Sequence, residues 1–212
     1  MHWISGGDND VDFDIPKLLG IYEREINSHI ERACELNFSL IVDVGAAEGY
    51  YAVGLAVRNP AARVIAFEMQ AKERSELTAK AKLNGVSERV QICGKCEAKD
   101  LEQAVADAPC PFVICDTEGY ELVLLDPEKV PSLARAFILV ELHEFAVKGI
   151  TEKIQRWYAA THEITQVWQQ ERGPTDFPFK NCYTRCLPKS YLHWAVGESR
   201  PERMSWLWMQ PK

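Results

Sequence analysis

The sequence lacks any run of about 20 consecutive apolar residues, the length that a membrane-spanning helix requires. Its first residues are polar and rich in aspartate, without the basic and apolar regions of a secretory signal peptide. Basic side chains are also scarce, 24 against 31 acidic ones, which gives a net charge of -7. A surface that follows nucleic-acid phosphates needs the opposite balance. We therefore expect no membrane partner, no nucleic-acid partner and a cytoplasmic location.

The chain also lacks the even number of cysteines that a complete set of disulfides needs, since it has seven. Several of them lie inside apolar, strand-like runs, as reduced thiols in a core do. Two pairs, Cys93/Cys96 and Cys182/Cys186, have spacings that occur in zinc sites, but the first pair spans a strand end rather than a zinc knuckle. We predict no disulfide and no zinc site.

The acidic stretch 8–14 does not have the pattern of a calcium-binding loop. An EF-hand beginning at Asp8 requires glycine where Phe13 stands and glutamate where Leu19 stands. We interpret 8–14 as a solvated acidic arm. Apolar residues then recur at helical spacing, which predicts an amphipathic helix over 18–36.

From residue 40 onward, short β-branched runs alternate with longer segments rich in Ala, Leu, Lys and Glu. Parallel strands joined by helical crossovers produce this alternation, so the predicted fold class is α/β, a Rossmann-like doubly wound sheet. We expect one domain, 1–212, made of an N-terminal arm and helix (1–38), a cofactor-binding core (39–170), an insertion or lid (171–203) and a last strand (204–212). Strands are predicted over 40–44, 63–68, 89–94, 111–116, 136–143, 163–169 and 204–210, and helices over 48–58, 70–83, 101–106 and 150–160, with a brief one after 118.

The segment between the first strand and its helix, "VDVGAAEGYY", has glycines at Gly45 and Gly49. In a doubly wound sheet this turn is where a nucleotide-like ligand contacts bare backbone and a helix N-terminus. The dinucleotide fingerprint would need further glycines where Ala47 and Tyr50 stand. A nicotinamide-dependent oxidoreductase is therefore less favoured.

The polar groups around this turn suit S-adenosylmethionine, which carries an ammonium, a carboxylate and two ribose hydroxyls but no phosphate. Asp43 can attract the amino end, and the backbone N–H groups of Ala46 and Ala47 can contact the carboxylate. Glu68, at the end of the second strand, can accept hydrogen bonds from both ribose hydroxyls. As alternatives, Asp43 and Glu68 would only cap the following turn and helix, and Cys96 would only pack in the core. The predicted cofactor contacts are Asp43, Gly45, Ala46, Ala47, Glu48, Gly49, Tyr50, Glu68, Met69, Cys96, Glu97 and Asp116.

Four segments in order, "VDVGAAEGYYAVGLA", "VIAFEMQAKERSELTAKAKLNG", "VICDTEGYELVLL" and "ILVELHEF", resemble the class I S-adenosylmethionine-dependent methyltransferases and, within them, the FkbM-type family. The resemblance covers residues 40–145. It implies a seven-stranded sheet, mostly parallel, with helices on both faces and an antiparallel last strand, a role that "MSWLWMQ" fits. It also implies methyl transfer from S-adenosylmethionine, usually to a hydroxyl oxygen of a sugar or other secondary metabolite. The alternative is a protein that binds this cofactor without catalysis, as a scaffold or sensor.

A hydroxyl acceptor must lose a proton, and the predicted strand ends supply several candidates to take it. His143 is the preferred base because its ordinary pKa lies near neutral pH, and Asp116 is second; Glu141 completes the predicted catalytic set. A divalent ion such as Mg²⁺ held by Asp116, Glu118 and Glu141 is an alternative that we do not favour, so we predict no metal.

The segment 171–203 departs from the family pattern, since it is rich in aromatic, cysteine and basic residues. The excess of basic residues over acidic ones there predicts either an anionic small-molecule acceptor or a solvated basic surface. Its aromatic residues would form either a wall over the acceptor or a small core within the segment. The predicted acceptor-binding residues are Glu118, Tyr183, Arg185 and Trp194.

Overall fold

The computed structural model describes residues 11–198 and 200–212. Its strands are β1 (Leu40–Val44), β2 (Arg63–Phe67), β3 (Val90–Cys93), β4 (Phe112–Cys115), β5 (Phe137–Leu142), β6 (His162–Trp168) and β7 (Ser205–Pro211). Its helices are α1 (Val11–Leu19), α2 (Asn27–Leu36), α3 (Tyr50–Arg58), α4 (Ala71–Leu83), α5 (Ala98–Val105), α6 (Glu121–Leu124), α7 (Ile150–Tyr158), α8 (Cys182–Arg185) and α9 (Lys189–Val196).

All seven strands join one sheet in the order β3-β2-β1-β4-β5-β7-β6. β1 to β5 pair in parallel, whereas β7 runs antiparallel to both β5 and β6. This arrangement confirms the predicted fold class, including the antiparallel last strand. The strand order reverses between β1 and β4, which opens a crevice at their carboxyl ends, where ligands bind in doubly wound sheets.

The central strands β1, β4 and β5 are buried throughout, as their apolar runs predict. One core forms between the sheet and helices α2, α3 and α4, and includes Ala33, Leu55 and Leu77. The other core forms on the opposite face against α5, α6 and α7, and includes Leu101 and Ile154. Helices therefore cover both faces, and the crevice remains at the edge between them.

The helix predicted over 18–36 is wrong as a single element. Gly20 and Glu23 both have left-handed backbones, with φ of 70° and 47°, so the chain turns between α1 and α2. A left-handed glutamate is strained and needs support from its surroundings. The Glu23 backbone N–H donates to the Glu198 carboxylate at 3.0 Å, a contact 175 residues away that local periodicity does not reveal.

The acidic arm predicted over 8–14 is only partly described, since Asp8 and Asp10 lie outside the described residues. Asp12 and Asp14 fall within α1, so the helix begins inside the stretch that was predicted to be an arm. Among residues 11–198 and 200–212, no helix has both the length and the apolar character needed to cross a membrane.

Candidate active site

A cavity of about 390 Å³ opens at the carboxyl ends of β1, β2 and β3, beside the turn that follows β4. Its volume lies within the range of about 300–1,000 Å³ that small-molecule sites occupy. Seven residues predicted to bind the cofactor or the acceptor line it: Gly45, Ala47, Glu68, Met69, Cys96, Asp116 and Glu118. The rest of the wall comes from Val44, Phe67, Gln70, Lys95, Thr117, Tyr120 and Leu124.

The turn after β1 is packed so closely that its two glycines cannot carry side chains. Gly45 has φ of 84°, and a Cβ placed there would lie 1.6 Å from the carbonyl oxygen of Asp116. Gly49 has φ of 92°, and its Cβ would lie 2.8 Å from Cγ of Leu77 in α4. Because Gly45 has no side chain, the turn after β1 can contact the turn after β4. Because Gly49 has none, the first residues of α3 can pack against α4.

Glu68 follows β2 directly, and its buried carboxylate is fixed at the cavity wall. Oε2 accepts a hydrogen bond from the Ala47 backbone N–H at 2.9 Å, and Oε1 accepts one from the Gln70 N–H at 2.7 Å. Each carboxylate oxygen can accept a further bond. Glu68 is therefore an oriented acceptor for hydroxyl groups in the cavity.

Asp43 does not line the cavity. Its side chain is buried, accepts a hydrogen bond from the Ala52 backbone and leaves Oδ2 without a hydrogen-bond partner. Burial, reinforced by the nearby Asp116 carboxylate, raises the pKa of Asp43 to about 8. Asp43 is therefore largely protonated at neutral pH in the cofactor-free protein, which weakens the predicted attraction for an ammonium group.

The other predicted cofactor residues outside the cavity wall have structural partners. Glu48 forms ion pairs with Lys17 of α1 at 2.8 Å and Lys80 of α4 at 3.4 Å. The Tyr50 ring packs edge-on against Tyr22, with ring centroids 5.4 Å apart. Glu97 caps α5 and accepts a hydrogen bond from the Tyr120 hydroxyl, Gly49 begins α3, and the Ala46 N–H donates to Phe67.

A cluster of acidic groups around His143 adjoins the cavity. His143 follows β5 and is only 1% exposed. Its Nδ1 lies 2.8 Å from the Glu121 carboxylate, and its Nε2 lies 3.3 Å from Glu118 and 3.5 Å from Asp116. The structure thus brings together His143, Asp116 and Glu118, all predicted at the site.

The electrostatic environment separates the pKa values of these groups. Burial lowers the pKa of His143, but the hydrogen bond to Glu121 and the charge of Asp116 outweigh it and raise this pKa overall. Burial and the Glu23 carboxylate raise the pKa of Asp116 to about 6, against a lowering by His143. Burial and Asp116 raise the pKa of Glu141 as well.

Several residues at this cluster were not predicted from the sequence. Arg200 bonds to Glu141, Glu23 and Glu198 through its three guanidinium nitrogens. The Tyr51 hydroxyl donates to Glu23. The sequence does give a local signal for Glu121, because it is the second glutamate of the motif "DTEGYE". No local sequence pattern indicates that Glu23 or Arg200 lies at this cluster.

The segment 171–203 contains the short helices α8 and α9, and α9 packs against α1. Tyr183 is 81% exposed, Arg185 is exposed and Trp194 is partly exposed, and none of them lines the cavity. Arg172 and Arg200, with side chains 5% and 11% exposed, are paired with glutamates. These two arginines were expected to be solvated or to bind an anionic acceptor; instead, their charge is neutralised within the protein.

The Mg²⁺ set considered from the sequence does not form as one group. Ligand atoms of Asp116, Glu118 and His143 lie within 4.8 Å of one another, as do those of Glu23, Asp116 and Glu141. However, Glu141 is bound to Arg200, and Nε2 of His143 faces Asp116 and Glu118. The Glu141 carboxylate is thus already paired with a side-chain cation.

The sequence matches no family model, and it matches no curated protein. Solved structures share its fold at low identity. The O-methyltransferase TomG from Streptomyces achromogenes, involved in tomaymycin synthesis and solved with S-adenosylmethionine, has a TM-score of 0.54 and 14% identity over 98% of this chain and 92% of that chain. A precorrin-6y C5,15-methyltransferase from Geobacter metallireducens has a TM-score of 0.54 and 10% identity, covering 85% and 87%. The tRNA methyltransferase TrmK from B. subtilis has a TM-score of 0.52 and 10% identity, covering 86% and 65%.

These likenesses establish that the chain has the fold of class I methyltransferases. The narrower resemblance to the FkbM-type family stays a prediction.

Proposed function

We propose that this protein is an S-adenosylmethionine-dependent methyltransferase that methylates a hydroxyl oxygen of a small molecule. The observation that carries the proposal is the position of Glu68, an oriented carboxylate on the wall of a cavity at the strand reversal of a methyltransferase fold. One structural neighbour with this fold was solved with S-adenosylmethionine.

The donor groups around the cavity fit the cofactor. Glu68 would accept hydrogen bonds from the ribose hydroxyls, and the turn from Gly45 to Ala47 would contact the amino-acid portion. Met69 and Cys96 would pack beside the base. A pyrophosphate fits poorly, because Ala47 and Tyr50 replace glycines and the Tyr50 ring is packed against Tyr22.

The sulfonium of the bound cofactor supplies an electrophilic methyl group, so the protein must position the acceptor and remove its proton. Asp116 is suited to take that proton, since it lines the cavity and its Oδ1 has no hydrogen-bond partner. Its pKa of about 6 leaves it mostly ionised at neutral pH. His143, whose Nε2 faces both carboxylates, would instead orient Asp116 and Glu118, the reverse of the roles favoured by the sequence.

Two observations favour a small molecule over a nucleic acid as the acceptor. The net charge is -7, and the cluster next to the cavity is dominated by carboxylates. Both repel phosphates. Contacts from Tyr183, Arg185 and Trp194 to the acceptor stay predictions.

The first test is a change of Glu68. Replacing Glu68 with alanine removes charge-assisted hydrogen bonds, each worth about 1.5–3 kcal/mol. Calorimetry should show S-adenosylhomocysteine binding about ten- to a hundredfold more weakly. The variant Glu88→Ala is the control, since this exposed glutamate precedes β3 at the opposite edge of the sheet and should leave affinity unchanged. Equal affinities for wild type and Glu68→Ala would remove Glu68 from the site.

Thermal unfolding of the wild type with S-adenosylhomocysteine or NAD identifies the cofactor class. A ligand at 100 times its Kd stabilises a protein by about 2.7 kcal/mol, so only the true cofactor should raise Tm. Transfer of isotopic methyl into a panel of sugars and phenols then tests catalysis. Stabilisation by NAD alone would refute the proposal, and binding without transfer to any acceptor would favour a scaffold or sensor.

A further inference from the structure

Arg200 connects the segment 171–203 to the acid-base cluster. Its side chain is 11% exposed and lies over the rings of Tyr22 and Trp206, at 5.7 and 5.3 Å from their centroids. Nη2 bonds to Glu23 at 2.5 Å, Nε bonds to Glu198 at 3.1 Å, and Nη1 bonds to Glu141. All three guanidinium nitrogens are thus used in one fixed geometry.

Two of these partners surround Asp116. Carboxylate oxygens of Glu23, Asp116 and Glu141 lie within 4.8 Å of one another. Carboxyl groups this close cannot all ionise unless a cation balances them, because like charges disfavour the charged form. Arg200 contacts Glu23 and Glu141 and leaves Asp116 facing the cavity.

We propose that Arg200 is a positioning residue for the reaction: by holding and neutralising Glu23 and Glu141, it keeps Asp116 ionised and ready to take the proton of the acceptor. This inference rests on the proposed function, because it assigns a role to a base of that same site. Arg200 acts through its two glutamate partners and does not itself line the cavity.

The charge balance around Asp116 involves every element packed against it. Glu23 and Tyr22 come from the turn between α1 and α2, Asp43 from β1 and Glu118 from the β4 turn. Glu141 comes from β5, and His143 directly follows that strand. Glu121 of α6 acts through His143. Removing the charge of Arg200 takes away the cation that faces Glu23 and Glu141, so protons should bind the cluster more tightly.

Arg200→Gln tests the proposal, since glutamine can still hydrogen-bond but carries no charge. An opposite charge within about 4–6 Å typically shifts a carboxyl pKa by about 1–3 units, and an effect transmitted through two glutamates should be about one unit. When kcat/KM is plotted against pH, its rise on the acid side (the acid limb) should therefore move about one unit to higher pH. At alkaline pH, where Asp116 is ionised in both proteins, the variant should regain activity. Arg200→Lys, which keeps a charge, should restore most of the wild-type limb.

Arg172→Gln is the matched control. Arg172 is also a buried arginine of the segment 171–203 and also bonds to Glu198, but its other partner is Glu25 rather than Glu23 or Glu141. Its loss should leave the acid limb in place. An unchanged limb in Arg200→Gln, or an equal shift in Arg172→Gln, would overturn the proposal.

Carboxyl ¹³C NMR of Asp116 in the cofactor-free protein gives a readout independent of activity. The titration midpoint of Asp116 should rise in Arg200→Gln by about the same amount as the acid limb of kcat/KM.

If Arg200→Gln does not fold, Glu23→Gln tests the proposal instead. Removing this carboxylate should move the Asp116 midpoint to lower pH, and an unchanged midpoint would refute the electrostatic coupling between Glu23 and Asp116. If the NMR midpoints shift as expected while no acceptor is methylated by the wild type, the proposed function fails and the electrostatic role of Arg200 stands.

Discussion

The buried carboxyl group of Asp43 is destabilising in the cofactor-free protein. It lies in β1 with one unpartnered oxygen, and burial together with Asp116 raises its pKa to about 8. A raised carboxyl pKa means that the folded state binds a proton that the unfolded state releases above about pH 4. Stability from this group is therefore fully present below pH 4 and is lost as the pH rises through 8.

We expect Asp43→Asn to stabilise the cofactor-free protein. Asparagine keeps an acceptor for the Ala52 N–H and cannot ionise, so it avoids the cost of a buried carboxyl with a raised pKa. At pH 7 the gain should be about 1–3 kcal/mol, since each unit of pKa shift is worth about 1.4 kcal/mol. Urea unfolding at several pH values measures the gap, the difference in the free energy of unfolding between variant and wild type. This gap should widen from pH 4 to pH 8. A gap that does not change with pH would show that Asp43 has an ordinary pKa.

Two turns, after β1 and after β4, meet without room for a side chain between them. The Asp116 N–H donates to the Val44 carbonyl at 2.9 Å, which extends the strand pairing into the turns. The Asp116 carbonyl then faces Gly45. The position of the proposed base thus depends on the absence of a side chain from the β1 turn.

Gly45→Ala should displace the β4 turn and disrupt the cavity. A Cβ at 1.6 Å from a backbone oxygen adds overpacking to the cost of a left-handed alanine, so we expect a loss of about 3 kcal/mol or more together with weaker S-adenosylhomocysteine binding. Gly85→Ala is the control: its φ of 67° is also left-handed, but its Cβ would have nothing within 4 Å. Equal destabilisation in the two variants would show that the close approach to Asp116 is unimportant.

Across the whole molecule, acidic groups from distant parts of the chain converge at the carboxyl edge of the sheet. Glu23 precedes β1, Asp116 and Glu118 follow β4, and Glu141 lies near the end of β5, with His143 just beyond it. Arg200 supplies positive charge to Glu23 and Glu141, and Nε2 of His143 faces Asp116 and Glu118. The absence of a metal from this cluster stays a prediction.

We expect methyl transfer to be insensitive to metal removal. Dialysis against EDTA followed by assay with and without added Mg²⁺ or Mn²⁺ should give the same rate within about twofold, since Arg200 already pairs with Glu23 and Glu141. Loss of activity that returns on adding a divalent ion would contradict this expectation, and would identify Asp116, Glu118 and His143 as its ligands.

Local sequence patterns predicted the strands and part of the cavity wall. Each strand ends within one residue of its predicted end, because buried parallel strands appear as apolar runs between breaks. Gly45 and Glu68 were identified because a strand-turn-helix unit places them by local geometry. Glu23 and Arg200 were missed because they form an ion pair between residues 177 apart, and nothing local indicates such a contact.

The amino-acid sequence by itself determined the order of strands and helices, the bare β1 turn and the acidic residues at the strand ends, since these follow from periodicity and chain connectivity. Only the tertiary structure decided which charges meet. It separated Asp43 from the cavity, placed His143 among the carboxylates of Glu121, Asp116 and Glu118, and placed a buried arginine against two glutamates beside Asp116. The physical reason is that pKa values and ion pairs depend on burial and on distances between groups from different parts of the chain, and these distances exist only after folding.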